Sequence, residues 1–185
     1  MADSSITKAA LSSALKGLMD EYNFEKISVG DICKRCNMSR KSFYYHFKDK
    51  YELVNWIFDT EFITIIQRKS YEAGWDFLAD LCEYLYANQK FYRAALQVQG
   101  QNAFSEHFRD MIRPAVADRL RQIRPTVEMN QFQIDFLTDG SVFSIIRWIQ
   151  SYPCSPPETF LNQVKQVTQV LAVKVCDDMK HEESE

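Results

Sequence analysis

Glycine and proline are scarce in this 185-residue chain, five of each, and three of the prolines fall in one break, SYPCSPP at 151–157. Long uninterrupted stretches of helix-forming residues remain, so an all-α fold of about nine helices is expected. With so few glycines there is no Gly-rich phosphate loop and no nucleophile elbow, and no histidine stands in a motif suited to acid–base chemistry. No enzyme activity is therefore expected. Cysteine is limited to Cys33, Cys36, Cys82, Cys154 and Cys176, an odd and scattered set that fits reduced thiols rather than a disulfide framework. The pair in CKRC at 33–36 has no second Cys or His pair to complete four zinc ligands, and His46, His107 and His181 are isolated, so neither metal nor cofactor is expected. No apolar run approaches the roughly 18 residues of a membrane span. The start, MADSSITKAA, lacks the charged-then-apolar pattern of a signal peptide, and a cytoplasmic protein is expected.

Charge of one sign is concentrated where the chain is otherwise poor in it. Overall the chain carries −3 at pH 7, but residues 26–50 hold seven Lys or Arg against Asp31 and Asp49, a net +5 that leaves −8 on the remainder. A small basic island on an acidic chain points to one polyanion-binding patch. Within the island, Ser28 and Asp31 stand at capping-box spacing before Val29, Ile32, Cys33 and Cys36, and Ser39 caps a second short helix after a turn at Asn37 and Met38. Two short helices joined by a tight turn make a helix-turn-helix. A helix after the Ser4–Ser5 cap precedes it. Helices over 48–69, 75–88, 90–98, 103–121 with a kink or restart at Pro114, 130–150 and 158–180 follow it.

The second short helix lies in SRKSFYYHFKDK, residues 39–50. Phe43 and Phe47 share one face and anchor it. The other positions carry cations, hydroxyls and an imidazole, the groups that bond phosphate oxygens and base edges, on a rod that fits a major groove. Double-stranded DNA is the expected partner. Side-chain chemistry nominates Lys41, Ser42 and Lys48 as contacts.

The segments ITKAAL, SVGDICKRCNMS and FYYHFKDKYEL together resemble the N-terminal DNA-binding domain of the TetR family of bacterial transcriptional regulators. That resemblance implies a DNA-binding unit at 1–50 and a ligand-binding, dimerising unit at 51–185. It further implies a homodimer bound to a palindromic operator as a repressor until a small-molecule effector enters the body. Ser28, Ser39, Arg40, Lys41, Tyr44, Tyr45, His46 and Lys50 occupy positions that usually touch DNA in the family. Many members have Gly where Lys41 stands, and small residues where Cys33 and Cys36 stand. The body, including FYRAALQVQGQNAF and IIRWI, is similar to a TetR branch that contains a regulator of dihydroxyacetone kinase genes, which keeps an activator role open.

Nineteen of the 25 aromatics lie in the body. Phe62, Tyr84, Phe91, Tyr92, Phe104, Phe108, Phe136 and Phe143 are candidates for an effector pocket, with packing in the core as the competing reading. In the family the last two helices form a four-helix bundle with those of a second subunit. By that resemblance Arg147, Trp148, Val164, Val167, Leu171 and Val175 are candidates for the dimer interface. The alternative function is a co-activator or protein-interaction module with little DNA affinity of its own.

Overall fold

The structure, a computed structural model, describes residues 2–66, 69, 71, 74–97, 104–123 and 129–182, with side chains from Ser4 to Val170 apart from those at 63, 74 and 123. Among the described residues there are nine α-helices and no strand: α1 Ala2–Glu21, α2 Val29–Arg35, α3 Arg40–His46, α4 Lys50–Ile66, α5 Gly74–Ala87, α6 Gln89–Gln97, α7 Phe104–Ile123, α8 Gln131–Gln150 and α9 Pro157–Glu182. Three departures from the expected helices have local reasons. α1 begins ahead of Ser4 and Ser5, which are ordinary exposed helical residues rather than a cap. α4 starts at Lys50 because the Asp49 carboxylate accepts the N–H groups of Tyr51 (2.9 Å) and Glu52 (2.8 Å), fixing the first turn there. α7 runs through Pro114 without a restart: the proline is exposed, while Phe108, Ile112 and Ala117 bury the opposite side on either side of it. A 3-10 turn, Phe24–Lys26, joins α1 to α2 and was not foreseen; Asn23 caps it by accepting the Glu25 N–H at 3.0 Å.

The buried apolar side chains form one continuous cluster from Leu11 in α1 to Phe160 in α9. Its centre is aromatic. Phe58 of α4 lies 5.3 Å from Phe62, 5.2 Å from Phe104, and 5.8 Å from Tyr92 and Phe108, measured between ring centroids. Tyr84 of α5 joins at 6.0 Å. These are offset and edge-on distances at which rings attract one another beyond the gain from burial. α7 and α8 are tied by charge as well: Arg113 Nε donates to Asp135 at 2.9 Å, and Arg109 bridges Asp135 and Asp139.

Candidate nucleic-acid interface

The segment from Ser28 to Phe47 is a helix-turn-helix whose every corner is closed by a local hydrogen bond. At the start of α2, Ser28 Oγ accepts the Asp31 N–H (3.2 Å) and the Asp31 carboxylate accepts the Ser28 N–H (2.9 Å), a reciprocal capping box. The Ser28 hydroxyl and N–H hold the Asp31 carboxyl below its ordinary range, and the Lys34 and Arg40 charges add to the effect. At its end, the Met38 N–H reaches the Cys33 carbonyl (2.8 Å) and the Asn37 N–H the Lys34 carbonyl (3.3 Å). Asn37 sits at φ 54°, the left-handed conformation such a C-terminal cap requires and asparagine tolerates. Ser39 then caps α3 by accepting the Ser42 N–H at 3.1 Å. Burial pushes the thiols of Cys33 and Cys36 up, and each donates to a backbone carbonyl, so packing rather than thiolate chemistry describes them.

α3 has two unlike faces. Phe43 and Phe47 are buried, with Phe47 edge-on to Trp56 of α4 at 5.8 Å. Arg40, Lys41, Tyr44 and Tyr45 face outward, and Tyr45 is 83% exposed. Ser39 and Lys48 are exposed beside them and Ser42 is half-buried. Ser28 is exposed too, but its hydroxyl already donates to Asp31 at 2.6 Å. His46 is half-buried and turns toward a cleft of about 490 Å³ between α1, α4 and α7, whose walls include Lys8, Trp56, Glu106 and Asp110.

Lys50 departs from its expected role. Its ammonium donates to the carbonyls of Phe24 (2.7 Å), Glu25 (3.1 Å) and Ile27 (2.8 Å) and lies 4.6 Å from the Phe24 ring centroid. In the chain without DNA all three N–H donors are engaged by the 3-10 turn. Desolvation lowers its pKa, with Glu25 opposing. Sequence spacing places this cation beside the groove but is silent on the three carbonyls that converge on it from 23 to 26 residues away.

The aromatic candidates for a pocket divide in two. Phe62, Tyr84, Phe91, Tyr92, Phe104 and Phe108 are buried against one another and fill the space they were expected to line. Phe136 and Phe143 are 67% and 64% exposed on α8, and Phe136 lines a groove of about 400 Å³ between α8 and α9. They belong to an apolar surface with Phe132, Val167 and Val170, all exposed, flanking that groove. Of the interface candidates, Arg147 and Val167 are exposed and Val164 is half-buried, while the side chains of Leu171 and Val175 lie outside the described residues. Trp148 is corrected: it is buried within the chain, stacked on Phe160 at 4.7 Å and on Tyr86 at 6.2 Å, and its indole N–H donates to the Ser155 carbonyl at 2.9 Å. Phe132 and Val170 were missed, although the spacing of 132, 136 and 143 by four and seven marks one helical face.

No described helix is long and apolar enough to cross a membrane. Two family models match the sequence. Residues 11–57 match bacterial regulatory proteins of the tetR family, and residues 75–183, more than half of the chain, match a transcriptional regulator C-terminal region. The HTH-type dhaKLM operon transcriptional activator DhaS of Lactococcus lactis subsp. lactis (strain IL1403) is 37% identical over 94 residues, a match spanning 50% of each chain. A solved structure of a dihydroxyacetone kinase operon activator DhaS superposes with a TM-score of 0.65 at 22% identity, over 90% of this chain and 96% of that one. A TetR transcriptional regulator from Streptococcus agalactiae 2603V gives 0.68 at 22% identity, over 87% and 92%. At that identity the superpositions speak for the fold, and the family follows from the matched sequence models: the chain belongs to the TetR family of bacterial transcriptional regulators.

Proposed function

We propose that this regulator binds a two-fold operator in double-stranded DNA as a homodimer, with residues 1–50 contacting DNA and residues 51–185 dimerising and sensing. The observation that carries the reading is the presentation of α3. Phe43 and Phe47 pin it from behind, and Arg40, Lys41, Tyr44 and Tyr45 are exposed to solvent. Ser39, Ser42, His46 and Lys48 flank that face and complete the contact set, with Ser28 at the α2 cap. The dimer is supported by the exposed phenylalanines and valines of α8 and α9, an apolar patch a soluble monomer rarely leaves uncovered.

In this reading a small-molecule effector acts by favouring one separation of the two DNA-binding units over another, since two α3 helices must enter successive major grooves about 34–36 Å apart. Repression relieved by the effector is the outcome implied by the family resemblance. Activation is the second reading, favoured by the name of the Lactococcus lactis relative.

The test is titration of the full chain onto its own upstream DNA, across salt and against competitor DNA. Tyr45→Ala is expected to weaken binding at least tenfold, a loss of about 1.4 kcal/mol or more, while leaving the dimer intact. Unchanged affinity in that variant would refute the assigned face. A promoter fusion assayed with and without the gene decides the sign: higher expression in its presence means activation.

A further inference from the structure

The helix-turn-helix contains Gly30 in the first turn of α2, where an alanine would be the stronger helix former. Its backbone conformation does not call for glycine. What occupies its side-chain space is Arg40: a Cβ built on Gly30 would lie 2.5 Å from Arg40 Nη2 and 3.2 Å from both Cζ and Nε. A point nearest Nη2, with Nε and Cζ equally distant behind it, lies in the notch of the Nε–Nη2 edge, so that edge of the guanidinium is turned onto the glycine and bridges the first residue of α3 back onto α2. No acceptor or carboxylate among the described residues takes its N–H groups, and Arg40 is exposed. The result is a guanidinium seated on α2 by its Nε–Nη2 edge, with its Nη1 end directed away from the glycine.

We propose that Gly30 is a positioning residue that seats the Arg40 guanidinium over α2 so that its fork grips a DNA phosphate rather than a base edge. This deepens the DNA-binding reading and rests on it. Direction decides between phosphate and base. A base-reading side chain projects from α3 into the groove, as Tyr45 does, whereas Arg40 is laid back over α2, at the margin of the recognition face. A planar fork fits two phosphate oxygens, and seating it in advance reduces the rotamer freedom lost on binding.

The proposal makes a paired expectation that a purely structural glycine would not. In Gly30→Ala the atoms displaced belong to the free end of a flexible side chain, so α2 stays folded and its intrinsic helix propensity improves. Melting temperature is expected to be unchanged or higher while DNA affinity falls.

The experiment uses the full chain and two duplexes: one carrying the sequence that wild type selects from a random pool, the other a scrambled version of it. Arg40→Ala is expected to weaken both by the same factor, about tenfold, and to reduce the slope of log K against log salt by about 0.9, one phosphate's worth. Gly30→Ala is expected to give a smaller loss of the same kind, and no further loss when added to Arg40→Ala. The proposal is overturned if Arg40→Ala keeps the salt slope and relaxes preference at one operator position, which makes Arg40 a base reader. It is equally overturned if the two substitutions are additive, which uncouples Gly30 from Arg40. If wild type selects no sequence, the operator reading has failed instead, and the slope on the scrambled duplex still decides whether Arg40 holds a phosphate.

Discussion

At the scale of single residues, Lys50 shows how far side-chain type alone determines a role. A lysine just past the recognition helix satisfies every requirement of a phosphate contact, yet its ammonium spends its donors on three carbonyls of the turn between α1 and α2. The Phe24 carbonyl also accepts the Ile27 N–H at 3.2 Å, so the ammonium reinforces a turn already closed by the backbone, and it sits against the Phe24 ring as well. Lys50→Ala is expected to destabilise the fold by about 1.5–3 kcal/mol, the range for bonds made by charged donors. It is also expected to leave the salt slope of DNA binding unchanged, because no phosphate contact is removed. Denaturant melts and a salt titration on the same preparation check both halves, and a slope lower by one phosphate would return Lys50 to the DNA face. The serine caps behave differently. Ser28 and Ser39 were legible from sequence because a cap is a contract between residues three apart, whereas the Lys50 bonds span more than twenty positions.

Elements repeat the pattern. The helices were legible because their apolar spacing is local, and the two faces of α3 separated cleanly because phenylalanine occupies one and polar groups the other. α8 did not separate, since it is apolar on both sides: Val142, Ile145, Trp148 and Ile149 face the core, while Phe132, Phe136 and Phe143 face out. Periodicity alone gives no reason to send Trp148 inward and Phe143 outward; the stacking of Trp148 between Phe160 and Tyr86 does. The hydrogen-bonded chain that ties four helices together was equally hidden. Lys16 of α1 pairs with Glu61 of α4, whose other oxygen accepts from Tyr84 of α5 (2.9 Å), and Tyr84 shares a 2.7 Å bond with Tyr92 of α6. Burial keeps both phenols protonated, with pKa values above their ordinary range. With Tyr84 donating to Glu61, Tyr92 donates to Tyr84, so the order of costs is fixed. Tyr84→Phe strands the buried Tyr92 hydroxyl without its acceptor and is expected to cost about 1–3 kcal/mol; Tyr92→Phe removes one donor and is expected to cost about 0.5–1.5 kcal/mol. Equilibrium unfolding of the two variants checks the order, and a reversed order would place the proton the other way along the chain.

For the whole molecule, the open question is what covers the outer face of α8 and α9. Phe132 and Phe136 are 75% and 67% exposed and stack on each other at 6.1 Å, and Val167 and Val170 are 60% and 62% exposed across the groove. A second copy related by a two-fold axis would set the same patch against itself, and such an isologous contact is what a palindromic operator demands of its reader. Gly140, in the middle of this face, is compatible with that arrangement: a Cβ there would meet nothing within 4 Å among the described residues. Because the patch is exposed in the single chain, Phe136→Asp removes little from the protomer's own core, and its cost is expected to fall on association. Wild type is then expected to melt at a temperature that rises with protein concentration, as folding linked to dimerisation does, and Phe136→Asp to melt at a lower temperature independent of concentration. Sedimentation of the variant as a monomer, with operator affinity reduced through loss of the second DNA-binding unit and with a helical spectrum retained, would place the dimer on α8 and α9. A variant that stays dimeric with wild-type affinity would move the interface elsewhere and leave the phenylalanine face for a different partner.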